Sequence, residues 1–151
     1  MDMKKHLVSI VPYEKPLKSV RQAVDHSHGL ADLPPGARAF IKPNIVFWTK
    51  AVPFPKWGVI TTTRVVEDMI VTLKVCGIDD ITIGEGTVTM NPKDTATPAH
   101  AFHTLGYDML RQRYDIKYLN VFERPFKKVD LGDGVAVAIN RDVLESDYMV
   151  D

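Results

Sequence analysis

The chain has 151 residues, of which 45% are hydrophobic and 25% charged, the balance of a globular domain with a core of its own. Its 19 basic and 19 acidic residues cancel, so its charge does not favour binding to nucleic acid or to a membrane surface. Cys76 is the single cysteine, which excludes an internal disulfide and a cysteine-ligated metal cluster. The apolar run before Pro12 is too short for a signal sequence or a membrane span, which predicts a cytoplasmic protein.

The first part of the sequence alternates predicted strands with a predicted helix. Residues 7–11 form a short apolar run that predicts a buried first strand. Apolar residues then recur at helical spacing and predict a helix over 16–28. Residues 37–42 predict a second strand, which ends at Pro43 because proline lacks an amide donor.

A second helix and a third strand follow a long connection. Thr63 is a plausible N-cap for a helix over 64–75, whose apolar residues form one stripe. Residues 81–83 predict the third strand. Thr97 is predicted to cap a further helix, in which Gly106 weakens the middle.

The last part of the sequence adds a hairpin to this alternating pattern. Residues 118–122 predict a fourth strand, and 128–139 alternate around Gly132-Asp133-Gly134, a hairpin signal. A helical turn after Asn140 leads to a last strand over 148–150. The pattern predicts one α/β domain over 1–151, with a mainly parallel, open, Rossmann-like sheet, helices on both faces and a C-terminal β-hairpin.

The connection from 45 to 60 is long, and its part over 47–57 is rich in aromatic residues and proline. Such connections are uncommon in compact domains unless they have a function. Two interpretations are open: a hydrophobic flap that covers the core or a second subunit, and a lid over a substrate. Exposed aromatic residues such as Trp48 and Trp57 would also suit docking to a protein partner.

Polar residues follow several strands of the predicted sheet. In a parallel sheet the carboxyl ends of the strands and the following helix N-termini share one edge, where ligands bind. Lys42 is predicted to bind an anionic ligand there, and Asn44 offers an amide donor and acceptor. Thr62 and Thr63 would present a helix N-terminus to a phosphate or carboxylate. The alternatives are a solvated lysine and a simple helix cap.

Glu85 is the candidate catalytic residue. It lies between Gly84 and Gly86, which would let a ligand approach closely, and its carboxylate suits a general base or an oxygen ligand for a divalent metal. A carboxylate in this setting has little evident structural reason, although the glycines alone would also shape a turn. If the role is functional, Glu85→Gln should abolish binding and leave the melting temperature nearly unchanged.

A metal site elsewhere is a weaker hypothesis. His100 and His103 lie three residues apart on a predicted helix and are potential ligands. No third ligand follows at a convincing spacing, so the sequence names no metal.

Several short motifs occur in a familiar order: Ile41-Lys42-Pro43-Asn44, Thr62-Thr63 with Val65-Val66-Glu67, Gly84-Glu85-Gly86, Ala101-Phe102 with Gly106-Tyr107, and Leu144-Glu145-Ser146-Asp147. From the second strand onwards the chain resembles domain-of-unknown-function family 362, whose members are often described as iron–sulfur cluster-binding or ferredoxin-linked. Members are usually much longer, so the resemblance implies that 1–151 corresponds to an N-terminal half, either as part of a longer protein or as a naturally short protein. The cluster cysteines have no counterpart here, so the iron–sulfur cofactor is not carried over.

Three functional hypotheses follow. The leading one is a domain of an enzyme that binds a small phosphate or carboxylate, with or without a divalent metal. The second is a non-catalytic module that docks to an iron–sulfur or ferredoxin-type partner, or to a second copy, through 47–57. The third is that this part of the protein is inactive in isolation.

Overall fold

The computed structural model describes residues 7–51, 59–86, 91 and 93–151. Within these ranges, and from residue 16 onwards, helices and strands occur in the order that the sequence predicts, except that one predicted helix is divided into two. In chain order they are α1 (Lys18–Ser27), β1 (Ala39–Ile41), α2 (Thr63–Val75), β2 (Ile81–Glu85), α3 (Ala96–Thr104), α4 (Tyr107–Tyr114), β3 (Lys117–Asn120), β4 (Phe126–Gly132), β5 (Val135–Asn140), α5 (Arg141–Leu144) and β6 (Tyr148–Val150). No helix in these ranges is long and apolar enough to cross a bilayer.

Four strands form a parallel sheet in the order β3-β2-β1-β6, and β4 pairs with β5 in a separate antiparallel hairpin. At the end of β1, Ile41 lies between Ile83 of β2 and Val150 of β6. Because the four strands run in one direction, their carboxyl ends share one edge. The predicted parallel sheet and C-terminal hairpin are therefore confirmed.

The two faces of the sheet are covered differently. Side chains such as Ile41 and Ile83 point into the main core, which they share with residues of α2, α3 and α4. Phe40 is buried on the opposite face, where the hairpin and the four-residue helix α5 lie. Helices thus lie on both faces, and the hairpin forms one wall at the carboxyl edge.

The strand predicted over 7–11 is wrong. These residues pair with no strand, and the side chain of Ile10 is 92% exposed. The apolar run has high strand propensity, but both sides of β1 are already taken by β2 and β6. The segment therefore does not join the sheet in spite of its strand propensity, and it lies near α1 instead.

The N-terminus of α2 differs from its prediction. The helix includes Thr63, the N-cap position is Thr62, and neither threonine makes a capping bond from its side chain. The Thr63 hydroxyl instead donates a hydrogen bond of 2.5 Å to the carbonyl oxygen of Leu105. Thr63 therefore joins α2 to the end of α3.

The helix predicted after Thr97 also differs in its start and in its length. Asp94, not Thr97, accepts hydrogen bonds from the backbone amides of Ala96 and Thr97, and the Thr97 hydroxyl bond lowers the pKa of Asp94. Gly106 has a φ of +81°, which ends α3 and begins α4. One predicted helix is thus two, since the left-handed conformation breaks the helical path at a residue without a Cβ.

Candidate functional site

Three charged side chains meet at the carboxyl edge of the sheet. Lys42 follows β1, Glu85 ends β2, and Asp151 follows β6. The Lys42 ammonium lies 2.7 Å from Oδ1 of Asp151 and 4.0 Å from Oε2 of Glu85. Chain direction and register bring these groups together, as the sequence predicts for Lys42 and Glu85.

Glu85 has a structural role that sequence reasoning missed. Its Oε1 accepts a 2.7 Å hydrogen bond from the amide of Gly86, and its Oε2 accepts a 3.2 Å bond from the amide of Ile45. The side chain is mostly buried. Glu85 therefore connects the end of β2 to the segment after β1. Sequence alone offers no signal for this contact, because Ile45 lies 40 residues away.

The charge of Lys42 is balanced within the site. The hydrogen bond with Asp151 raises the pKa of Lys42 above its ordinary value, against the effect of burial, and Glu85 adds to the rise. Lys42 is therefore a fixed cation in the neutral range. The Asp151 side chain is 70% exposed, so its ion pair with Lys42 is screened by solvent and is weak.

A cleft of about 280 Å³ opens beside Lys42 and Glu85, between the sheet and the hairpin. Lys42 and Glu85 are its charged side chains, and most of the other lining residues are apolar: Phe40, Val121, Phe122, Phe126, Ala138, Ile139, Val143 and Met149, together with Asn140. Sequence reasoning missed this apolar wall. The alternation in β4 and β5 indicates a two-sided hairpin but not the surface that it faces.

The two glycines beside Glu85 allow close packing of aromatic rings. A Cβ on Gly84 would lie 2.3 Å from Cζ of Phe40, and a Cβ on Gly86 would lie 2.8 Å from Cζ of Phe122. Protein rings thus occupy the space that the sequence analysis assigned to a ligand. Contacts from these glycines to a ligand would have to come from their backbone atoms.

Asn44 holds the ends of the long connection together. Its amide donates to Oγ1 of Thr61 at 2.9 Å, its side-chain nitrogen donates to the carbonyl of Val59 at 2.8 Å, and its carbonyl accepts from the amide of Thr61 at 3.0 Å. Asn44 follows the same sheet edge as Lys42. It does not line the cleft beside Lys42.

Thr62 and Thr63 lie at a different cleft. That cleft has a volume of about 490 Å³ and is also lined by Tyr13, Leu105 and other residues near the start of α2. Tyr13 donates a hydrogen bond of 2.7 Å to the buried Asp68, and burial together with this bond raises the pKa of Tyr13 to about 12. The two clefts share no lining residue. Lys42 and Glu85 thus line one cleft, Thr62 and Thr63 line the other, and Asn44, Gly84 and Gly86 line neither.

The two histidines have separate protein partners. Trp48 donates from Nε1 to Nδ1 of His100 at 2.9 Å, whereas Nδ1 of His103 lies 2.7 Å from Oδ2 of Asp108. Within the described ranges, no group of three histidine, cysteine or carboxylate side chains is placed to hold a metal ion.

The described part of the aromatic connection is partly in the core. Trp48 is buried in the main cluster, whereas Phe47 is exposed. Trp57 and the rest of 52–58 lie outside the described residues. Trp48 therefore covers the core, as the flap interpretation predicts, and is not itself exposed for docking. Docking through the rest of 47–57 stays a prediction.

The polar residues at this sheet edge follow the parallel strands of an α/β domain. No curated protein and no solved structure matches the chain significantly. Residues 40–151 match the family model described as "Domain of unknown function (DUF362)", a span that begins in β1 and includes every residue of the Lys42 cleft. The chain therefore belongs to the domain-of-unknown-function family DUF362.

Proposed function

We propose that this domain binds a small carboxylate or phosphate at the carboxyl edge of its sheet, as part of an enzyme. The observation that carries the proposal is the 2.7 Å contact between Lys42 and the exposed carboxylate of Asp151. A ligand anion that replaced Asp151 would meet the same ammonium in the same geometry. The adjacent cleft of about 280 Å³ provides room for the rest of the ligand.

Glu85 has two roles in this proposal. Its carboxylate lies 4.0 Å from the Lys42 ammonium and so positions it. A carboxylate has about four acceptor sites, of which the amides of Gly86 and Ile45 use two. The remaining acceptor sites would be able to take a proton from a bound ligand, or to coordinate a divalent metal. Magnesium is often held by one or two protein carboxylates together with a phosphate of the ligand, and Glu85 would supply one such carboxylate.

The other predicted residues support the site at a greater distance. Asn44 keeps the connection closed behind Lys42 through its bonds to Thr61 and Val59. Thr62 and Thr63 would contact the same anion only if the ligand extended into the second cleft. If a Thr62→Val variant binds phosphate as tightly as the original protein does, Thr62 does not contact the anion.

A titration of the 151-residue protein with acetate, inorganic phosphate and phosphate with Mg²⁺ tests the proposal. Nuclear magnetic resonance shift changes at residues beside Lys42 are the readout. We expect saturable changes that Lys42→Ala abolishes. The matched control is Lys117→Ala, since Lys117 pairs with Asp80 at the amino edge of the sheet. Equal binding in Lys42→Ala would overturn the proposal, and no binding by any probe would favour the hypothesis that this part is inactive alone.

The docking hypothesis lacks a comparable observation. Trp48 is buried, so Trp48→Ala would cost stability rather than only weaken association. The hypothesis now depends on Phe47 and on residues outside the described ranges.

A further inference from the structure

The apolar part of the Lys42 cleft is more open to solvent than a core is. Phe122, Phe126 and Met149 line it and are 57%, 43% and 47% exposed. Single exposed apolar side chains need no explanation, but large ones that share one cleft mark a contact surface. This surface begins next to a fixed cation, Lys42.

The wall of the cleft is held in place by the fold. Gly86 lets the ring of Phe122 lie against the backbone beside Glu85, because a side chain there would meet that ring at 2.8 Å. Phe126 pairs with Asn140 across the hairpin. Asn140 is buried, donates to the carbonyl of Glu123 at 2.9 Å and accepts from the amide of Asp142 at 2.9 Å. The apolar surface is therefore preformed, as ligand sites usually are.

The size of the cleft limits the part of a ligand that it can cover. Its volume of about 280 Å³ is somewhat less than twice that of an apolar cavity of about 150 Å³ that accepts benzene. One aromatic ring or a short aliphatic chain would fill this space, and a nucleotide or a long acyl chain would extend beyond it into solvent. An anionic group that displaced the exposed Asp151 carboxylate from Lys42 would lie at one end of the cleft.

We infer that the site takes an amphipathic anion, with its carboxylate or phosphate on Lys42 and a short chain or single ring against Phe122, Phe126 and Met149. This inference rests on the proposed function and names the ligand class of the same site. It commits the cleft to a small molecule whose two ends are recognised separately.

A chain-length series separates the two ends. The probes are acetate, butyrate, hexanoate and 3-phenylpropionate, with 1-hexanol as the uncharged control and hexyl phosphate to compare head groups. Each methylene that enters the cleft should tighten binding about fourfold, until the cleft is full. Hexanol should bind far more weakly than hexanoate. The tighter of hexanoate and hexyl phosphate identifies the head group.

Variants of the hairpin test where the chain lies. Phe126→Ser and Ala138→Leu should reduce the preference for hexanoate over acetate, the first by removing apolar surface and the second by filling space. The control is Leu131→Ser, since Leu131 is exposed on the same hairpin and outside the cleft. Circular dichroism confirms that each variant is folded.

The outcomes distinguish this inference from the function on which it rests. Equal affinity for acetate and hexanoate, with both lost in Lys42→Ala, would overturn the inference and leave the proposed function. A hexanoate preference that survives both cleft variants would also overturn it. Probe binding that Lys42→Ala does not alter would overturn the proposed function itself.

Discussion

Lys42 and Asp151 are the residues next to Ile41 and Val150, which pair across the parallel strands β1 and β6, and their side chains meet at 2.7 Å. The contact follows from strand direction and register. In the proposed function, the carboxylate of Asp151 occupies the place in which a ligand anion would lie.

We predict that Asp151→Asn tightens the binding of acetate. Removing a competing exposed ion pair, worth up to about 1 kcal/mol, should improve affinity by up to about fivefold and change the stability of the fold little. Asp147→Asn is the control, since Asp147 pairs with Arg38 at the other end of β6. Weaker acetate binding in Asp151→Asn would mean that Asp151 assists the ligand rather than competes with it.

The raised pKa of Lys42 predicts the pH dependence of binding. A raised pKa means that the charged form is favoured in the folded protein, so its contribution to stability is present below the ordinary lysine value and is lost as the pH rises through the folded value. Acetate affinity should therefore stay constant between about pH 7 and 9 and fall above the ordinary value of 10.5. In Lys42→Arg the fall should disappear. A loss of affinity near pH 8 in the original protein would contradict this assignment.

Glu85→Gln should destabilise the fold as well as the site. One of the two carboxylate oxygens becomes an amide group, which cannot accept a bond from Gly86 or Ile45, and an unmet buried donor costs about 1–3 kcal/mol. Urea unfolding measures the loss. Glu14→Gln is the control, because Glu14 is exposed and its substitution should change the unfolding free energy little. An unchanged unfolding free energy in Glu85→Gln would restore the purely functional interpretation of the sequence analysis.

The sequence predicts the edge of the sheet well because that prediction needs only chain direction. Strand residues, a helix between them and a hairpin turn at Gly132-Asp133-Gly134 are local signals, and the structure has each of them. Lys42 and Glu85 converge for that reason. Thr62 and Thr63 follow the same rule but line another cleft, since being at the same edge does not specify the distance between residues.

The sequence fails where distant residues decide the outcome. The run over 7–11 has strand propensity, yet β6, from the far end of the chain, takes the place beside β1. Glu85 accepts a hydrogen bond from the amide of Ile45, and Gly84 leaves room for the ring of Phe40. Neither contact leaves a spacing signal in one sequence.

Gly84→Ala should therefore destabilise the protein through Phe40. The new Cβ would lie 2.3 Å from Cζ of Phe40, so this ring, which is 1% exposed, would have to leave its present position. Overpacking of this kind costs about 1–3 kcal/mol or more. The control is Gly29→Ala, where the nearest atom is at 3.4 Å. A double-mutant cycle with Phe40→Leu should show a smaller loss than the sum of the two single variants, and full additivity would rule out this contact as the cause.

Tyr107 provides a test of an unpaired hydroxyl. Its side chain is fully buried and stacks on Phe102 with ring centroids 5.6 Å apart, and its hydroxyl has no hydrogen-bond partner within the described ranges. Burial, together with the charge of Glu85, raises the pKa of this hydroxyl above its ordinary value. Because an unpaired buried polar group costs about 1–3 kcal/mol, Tyr107→Phe should leave the unfolding free energy unchanged or increase it.

Tyr118→Phe is the matched control for Tyr107→Phe. Tyr118 packs against Phe102 as well, but its hydroxyl donates to Oδ1 of Asp108 at 2.6 Å, a bond that also lowers the pKa of Asp108. Loss of this bond should reduce the unfolding free energy by about 0.5–1.5 kcal/mol. Urea unfolding of both variants at neutral pH makes the comparison. A loss in Tyr107→Phe as large as that in Tyr118→Phe would contradict the prediction, because it would show that the Tyr107 hydroxyl stabilises the fold.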